Sequence, residues 1–120
     1  MQPNGNISWA FSASGPILAA PVVDAETSPI SIYVADAGGR VYKVGNDGRP
    51  DYDFVFVPVG LIRSSPALAG NHLYLGSDDG NLYAIDKHSG QVDWAFLTGN
   101  AIVSSPAVAT NGTEPPVVIV

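Results

Sequence analysis

Cysteine is missing from all 120 residues. Its absence excludes a disulfide framework, a thiolate zinc site and a cysteine nucleophile, but leaves the compartment open, because many secreted proteins also lack it. Basic residues are scarce, with five Lys and Arg against eleven Asp and Glu and a formal net charge of -6. Nucleic acid and anionic membrane both reward clustered cations, so neither is an expected partner. Long apolar runs are missing as well. The longest, Pro16 to Val23, is broken by prolines and falls far short of the roughly 18 residues that a membrane span needs, so no membrane insertion is expected. Residues Met1 to Gly5 offer neither a basic region nor an apolar one, and nothing here reads as a signal peptide. No segment carries a helical hydrophobic period.

What the chain does contain is itself, repeated. Ser104-Ser105-Pro106-Ala107-Val108-Ala109 restates Ser64-Ser65-Pro66-Ala67-Leu68-Ala69 at a spacing of 40 residues, and Ala19-Ala20-Pro21-Val22-Val23 is a weaker copy 45 residues upstream. Twelve residues before each proline stands an aromatic, namely Trp9, Phe54 or Trp94, and two places later comes Phe11, Phe56 or Phe96. Ile17, Ile62 and Ile102 share one offset in all three copies. Ile32-Tyr33-Val34, Gly39 and Tyr42 match Leu73-Tyr74-Leu75, Gly80 and Tyr83 at a constant offset of 41. A period of this length is the mark of a repeat architecture.

Each unit reads as four short strands, because β-branched and aromatic runs alternate with clusters of Gly, Pro, Asn and Asp. In the clearest unit the strands are expected at Ser65 to Ala69, Leu73 to Gly76, Asn81 to Asp86 and Gln91 to Leu97. Asp79-Gly80 is expected to supply the positive φ angles of a tight hairpin, and Asp86 to Gly90 to form a longer loop. A repeated four-stranded antiparallel unit of this size indicates an all-β fold built of β-propeller blades. The units divide as 1–17 (an outer strand), 18–57 (a first full blade), 58–97 (a second) and 98–120 (the start of a further one). A propeller closes with about four to eight blades. The sequence is therefore expected to belong to a longer chain, or to meet copies of itself, since open strand edges and bare blade faces drive association.

Ala84-Ile85-Asp86-Lys87-His88-Ser89-Gly90-Gln91-Val92-Asp93-Trp94 resembles the tryptophan-docking motif of the pyrroloquinoline-quinone-type (PQQ-like) propeller repeat, Ala-x-Asp-x-x-x-Gly-x-x-x-Trp. Tyr74 to Tyr83 and Ser104-Ser105-Pro106 also resemble that family. The first full unit departs from the motif, with Lys43, Gly45 and Phe54 where Ala84, Asp86 and Trp94 stand. The resemblance implies a multi-bladed propeller in which Ala84, Asp86, Gly90 and Trp94 form a structural docking motif, and Trp9 and Phe54 are the corresponding blade-packing aromatics.

Each candidate for chemistry has a structural counterpart. Asp78 and Asp79 could ligate calcium, but the loop pattern of an EF-hand is missing and the Asp79-Gly80 hairpin accounts for them. Asp86 fits an Asx acceptor for the amides of its own loop. His72 and His88 lack the spacing that brings two imidazoles to one metal. The paired serines lack the strand-to-helix elbow that exposes a nucleophile. Arg63 stands where Leu18 and Val103 stand in the other copies, just before the inner strand, and is the candidate for a channel-facing cation. No catalytic or metal-binding constellation emerges.

Three functions compete. The first is a non-catalytic protein-interaction scaffold, as in members of the PQQ-like family that act at the bacterial outer membrane, which implies a periplasmic or extracellular location and no cofactor in this segment. The second is the propeller part of a PQQ-dependent quinoprotein dehydrogenase, for which the resemblance implies PQQ, calcium, a catalytic aspartate and adjacent cysteines, none of which can be matched here. The third is a ligand- or carbohydrate-sensing propeller, for which only the surface aromatics speak.

Overall fold

The computed structural model describes residues 10–26, 29–56, 60–102, 105–109 and 117–119. Among them the chain is all strand and turn, arranged as three successive antiparallel meanders. The first holds β1 (Val22–Asp24), β2 (Ser31–Ala35) and β3 (Val41–Gly45) in that order. The second holds β4 (Ala67–Ala69), β5 (His72–Gly76), β6 (Asn81–Asp86) and β7 (Val92–Leu97). The third pairs β8 (Ala107–Ala109) with β9 (Val117–Ile119).

The repeat seen in the sequence is a repeat in register. Val22 lies opposite Tyr33, Ala67 opposite Tyr74 and Ala107 opposite Ile119, so the first two strands of every unit pair in the same phase. β1 lies against β4, and β4 against β8. The first strands thus run side by side, and the later strands of each unit fan outward from them.

The core forms between sheets. Tyr33, Ala35 and Val41 of the first unit, Leu73, Leu75, Tyr83 and Ile85 of the second, and Phe54, Phe56 and Ile62 between them make one apolar cluster. β2 alternates buried and half-buried positions, as expected of a strand with one face inward, whereas β5 and β6 are buried almost throughout. β7 is exposed at all six positions.

Three hairpins share one construction. The N–H of Gly39, Gly48 and Gly80 donates to the carbonyl of Asp36, Gly45 and Ser77, while the N–H of those three residues reaches the carbonyl of Arg40, Arg49 and Asn81. Each glycine takes a positive φ, of 88°, 83° and 90°. The expectation of two positive angles at Asp79-Gly80 is corrected here: no described residue other than glycine has one. Placing an aspartate in the left-handed region costs about 1 kcal/mol, and a three-residue loop avoids this by giving glycine alone that position.

The expectation of four strands in the first unit is also corrected. Among the described residues its sheet has three, and the segment bearing Phe54 and Phe56 touches β3 through one isolated bridge, Val44 to Pro50. The reason is local. The N–H of Asp53 donates to the Asp51 carboxylate (2.9 Å) and that of Phe54 to the Asp51 carbonyl (3.2 Å), curling the chain where the second unit runs straight into β7. Pro50 has no N–H to offer a ladder.

Candidate functional site at the seam between repeat units

Three of the residues singled out in the sequence, Phe54, Asp86 and Gly90, meet at the seam between the first and second units. The loop from Asp86 to Gly90 sits at its centre. The Asp86 carboxylate accepts the N–H of His88 (2.8 Å) and of Ser89 (2.9 Å), and the N–H of Gly90 closes back on the Asp86 carbonyl (2.9 Å). These bonds favour the charged form, and the Ser89 and His88 amides hold the carboxyl below its ordinary range.

The first unit leans on that loop. The N–H of Val55 donates to the Ser89 carbonyl (2.9 Å), and Gly90, with φ of 79°, lies against the Val55 backbone so closely that a Cβ there would stand 2.6 Å from the Val55 oxygen. Flanking this contact, Phe54 packs edge-on against Tyr33 at 5.7 Å between ring centres, and Phe56 against Tyr83 at 6.2 Å. Phe11 meets Tyr42 in the same way at 5.1 Å, one unit earlier. Edge-on aromatic pairs therefore recur with the repeat, each adding about 1 kcal/mol beyond the area buried.

The seam also holds two groups that sequence reasoning passed over. The Lys87 ammonium lies 3.0 Å from the Asp24 carboxylate, with the two side chains 7% and 2% exposed. Tyr33 donates its hydroxyl to the Lys87 carbonyl at 2.7 Å. Burial pushes the Asp24 carboxyl up, but the hydrogen bond from Lys87, the N–H of Glu26 and the charges of Lys87 and His88 outweigh it and leave the group below its ordinary range. The Tyr33 phenol is pushed up to about 12 by burial and by the carboxylates of Asp24, Asp86 and Asp51. A carboxylate closing the apolar run Val22-Val23 was the signal for Asp24. Lys87, at a loop tip, gave none.

Along the first strands a different bond recurs. The N–H of Ala20 donates to the Ser65 hydroxyl (3.0 Å), and the N–H of Ser65 to the Ser105 hydroxyl (2.9 Å). The serines that repeat in phase thus tie each unit to the next, satisfying amides that lie outside any ladder.

The hairpins show a compensated exchange. In the first unit the Tyr42 hydroxyl donates to the Asp36 carboxylate (2.8 Å). In the second, Ser77 replaces Asp36, and Tyr83 donates instead to Asp79, two residues further along the turn. Burial raises the Asp79 carboxyl, and its bonds from Tyr83, Asn81 and Ser77 more than offset that, leaving it low.

The remaining candidates stand apart. Arg63 is half exposed with its guanidinium 2.7 Å from Asp78. His72 pairs with Asp93 at 2.7 Å on the surface, and His88 is exposed. Ala84 is fully buried in β6 opposite Trp94. Trp94, which the resemblance gives as a docking residue, is 41% exposed and rests on Tyr74 at 5.9 Å, because no described residue covers the outer side of β7. Phe54, in the same place one unit earlier, is 6% exposed because the Asp86–Gly90 loop lies over it. Trp9 lies outside the described residues.

The chemistry available follows from these bonds. Among the described residues no three His, Asp or Glu gather as a metal site. The carboxylates of Asp78, Asp79 and Asp86 point to Arg63, to Tyr83 and to loop amides. Among the described residues these three carboxylates do not gather into the six to eight converging oxygens that calcium takes.

The fold finds counterparts in known proteins. Among solved structures 55 chains match, and one of them is the crystal structure of BamB from Moraxella catarrhalis, similar at a TM-score of 0.70 and 17% identity. The match covers 86% of this chain and 31% of that one, so this chain spans about a third of the length of BamB. None of the curated proteins compared with the chain matches it. The family model described as outer membrane protein assembly factor BamB matches residues 2–118. With nearly its whole length inside that match and its meanders arranged as propeller blades, the chain belongs to the BamB-type PQQ-like repeat family.

Proposed function

We propose that the chain is part of a non-catalytic protein-interaction scaffold that works in outer-membrane protein assembly at the bacterial envelope. One observation carries this reading: the serines that recur in phase, Ser65 and Ser105, and the hairpin carboxylates Asp36 and Asp79 are engaged in holding turns and seams, not in converging on a pocket. The family match to an assembly factor supports it.

The reading includes tryptophan docking. Trp94 and Phe96 stand where Phe54 and Phe56 stand one unit earlier, and the latter two are buried where the following unit meets the first. By the same translation Trp94 is a docking residue for the loop of a further unit.

The test is binding against catalysis. The purified chain, and any longer protein containing it, is titrated with PQQ and calcium and then with a soluble component of the outer-membrane assembly machinery. The expected result is an unchanged PQQ spectrum, no dye-coupled alcohol oxidation, and saturable binding to the assembly component. Turnover with PQQ, or no binding to any such component, would overturn the proposal.

A further inference from the structure

We infer that the buried Asp24–Lys87 pair is an address that determines which unit docks on which. The inference rests on the packing of the two units and not on what the propeller binds.

Equivalent positions across the repeat differ at this contact. Asp24 lies opposite Ser31 in the first unit, and Ala69 lies opposite His72 in the second, so a methyl group occupies the place of the buried carboxylate. Lys87 follows Asp86 in the loop of the second unit, and Asn46 follows Gly45 at the corresponding place in the first. One loop carries the cation and one face carries its partner, and they are the loop and the face that meet.

Energetics make the match exclusive. A lysine ammonium taken out of water is strongly unfavourable unless a carboxylate meets it in good geometry. On a face of the Ala69 type Lys87 would be buried against a methyl. An Asn46-type loop on the Asp24 face would leave that carboxylate without its cation. Each wrong pairing buries an uncompensated charge, which is how polar groups in coiled coils fix register and partner. The second unit's own face is therefore closed to a Lys87 loop, including that of another copy of the chain. The surrounding polar contacts reinforce the address, because Tyr33 grips the Lys87 carbonyl and Asn71 accepts the Lys87 N–H at 3.0 Å, fixing the backbone from which the ammonium reaches Asp24.

Two pairs of variants in the full chain test this. Asp24→Lys and Lys87→Asp are each expected to lower Tm by about 10 °C or more, and the double reversal to recover at least half of the loss. The apolar pair Asp24→Leu/Lys87→Met is expected to melt close to the parent or above it, yet to give duplicated amide resonances or new oligomers, because nothing then excludes the wrong docking. Strictly additive losses in the double reversal would overturn the inference. So would an apolar pair with one set of resonances and the parent's hydrodynamic size, since the charges would then contribute stability but no selection. Should the apolar pair fail to fold, the neutral polar pair Asp24→Asn/Lys87→Gln, read for the same duplicated resonances and hydrodynamic size, decides in its place.

Discussion

Gly90 and Val55 touch backbone to backbone across the seam: a Cβ on Gly90 would meet the carbonyl oxygen, carbon and nitrogen of Val55 at 2.6, 2.7 and 3.0 Å. None of these atoms can rotate away, as the end of a side chain could. Gly90→Ala therefore combines the strain of a positive φ with a clash that separates the two units, and is expected to cost about 2 to 3 kcal/mol. Gly99 has φ of 92° and nothing within 4 Å of a built Cβ, so Gly99→Ala is expected to cost only about 1 kcal/mol. Urea unfolding of the two variants, compared at equal m-value, checks the difference.

Stability at the aromatic positions follows burial and not residue size. Phe54→Ala removes a ring that is 6% exposed and packed on Tyr33, and is expected to cost about 3 to 4 kcal/mol. Trp94→Ala removes a larger ring that is 41% exposed, and is expected to cost about half as much. Equilibrium denaturation of the chain, with equal losses at the two sites as the contrary outcome, distinguishes them.

Acid should weaken the seam and the second unit's hairpin. Asp24, Asp79 and Asp86 are all held below the ordinary carboxyl value of 3.8. A carboxyl with a depressed folded-state pKa stabilises the fold above its unfolded value, and the contribution is lost as pH falls through the folded one. Tm is thus expected to be level from neutral pH down to about 4 and to drop steeply below that. At the alkaline end, Tyr33 should ionise only near pH 12, so Tyr33→Phe should remove the latest step of an ultraviolet absorbance titration.

The exchange of acceptors between the two hairpins can be reproduced. Asp79→Gly copies Gly38 and removes the acceptor of the Tyr83 hydroxyl, with an expected loss of about 1 kcal/mol or somewhat more. Adding Ser77→Asp copies Asp36, which accepts the corresponding hydroxyl of Tyr42, and is expected to restore part of that loss. A double-mutant cycle read by thermal melts measures the coupling, and simple additivity would refute the equivalence of the two arrangements.

How far the sequence could be read depended on whether a feature was local. Asn81 to Asp86 is a strand with the expected limits, since its apolar residues, the glycine before it and the Asx loop after it all act within a few residues. The strand expected around Phe54 failed because Asp51 captured nearby amides first, a competition between turn and ladder that composition does not settle. Asp79 lies in a three-residue turn without the positive dihedral expected of it, because a two-residue and a three-residue hairpin begin with the same letters.

By itself the sequence determined the repeat, its phase and the propeller class, because a recurring pattern of strands, glycine turns and paired serines gives the units a common plan. The tertiary structure alone decided what meets across the seam. Asp24 and Lys87 are 63 residues apart in the chain and belong to different units, and neither carries a local sign of the other. Their pairing arises because stacking two blades removes both charges from water together, and only the packed arrangement brings the carboxylate to the place where the ammonium is buried.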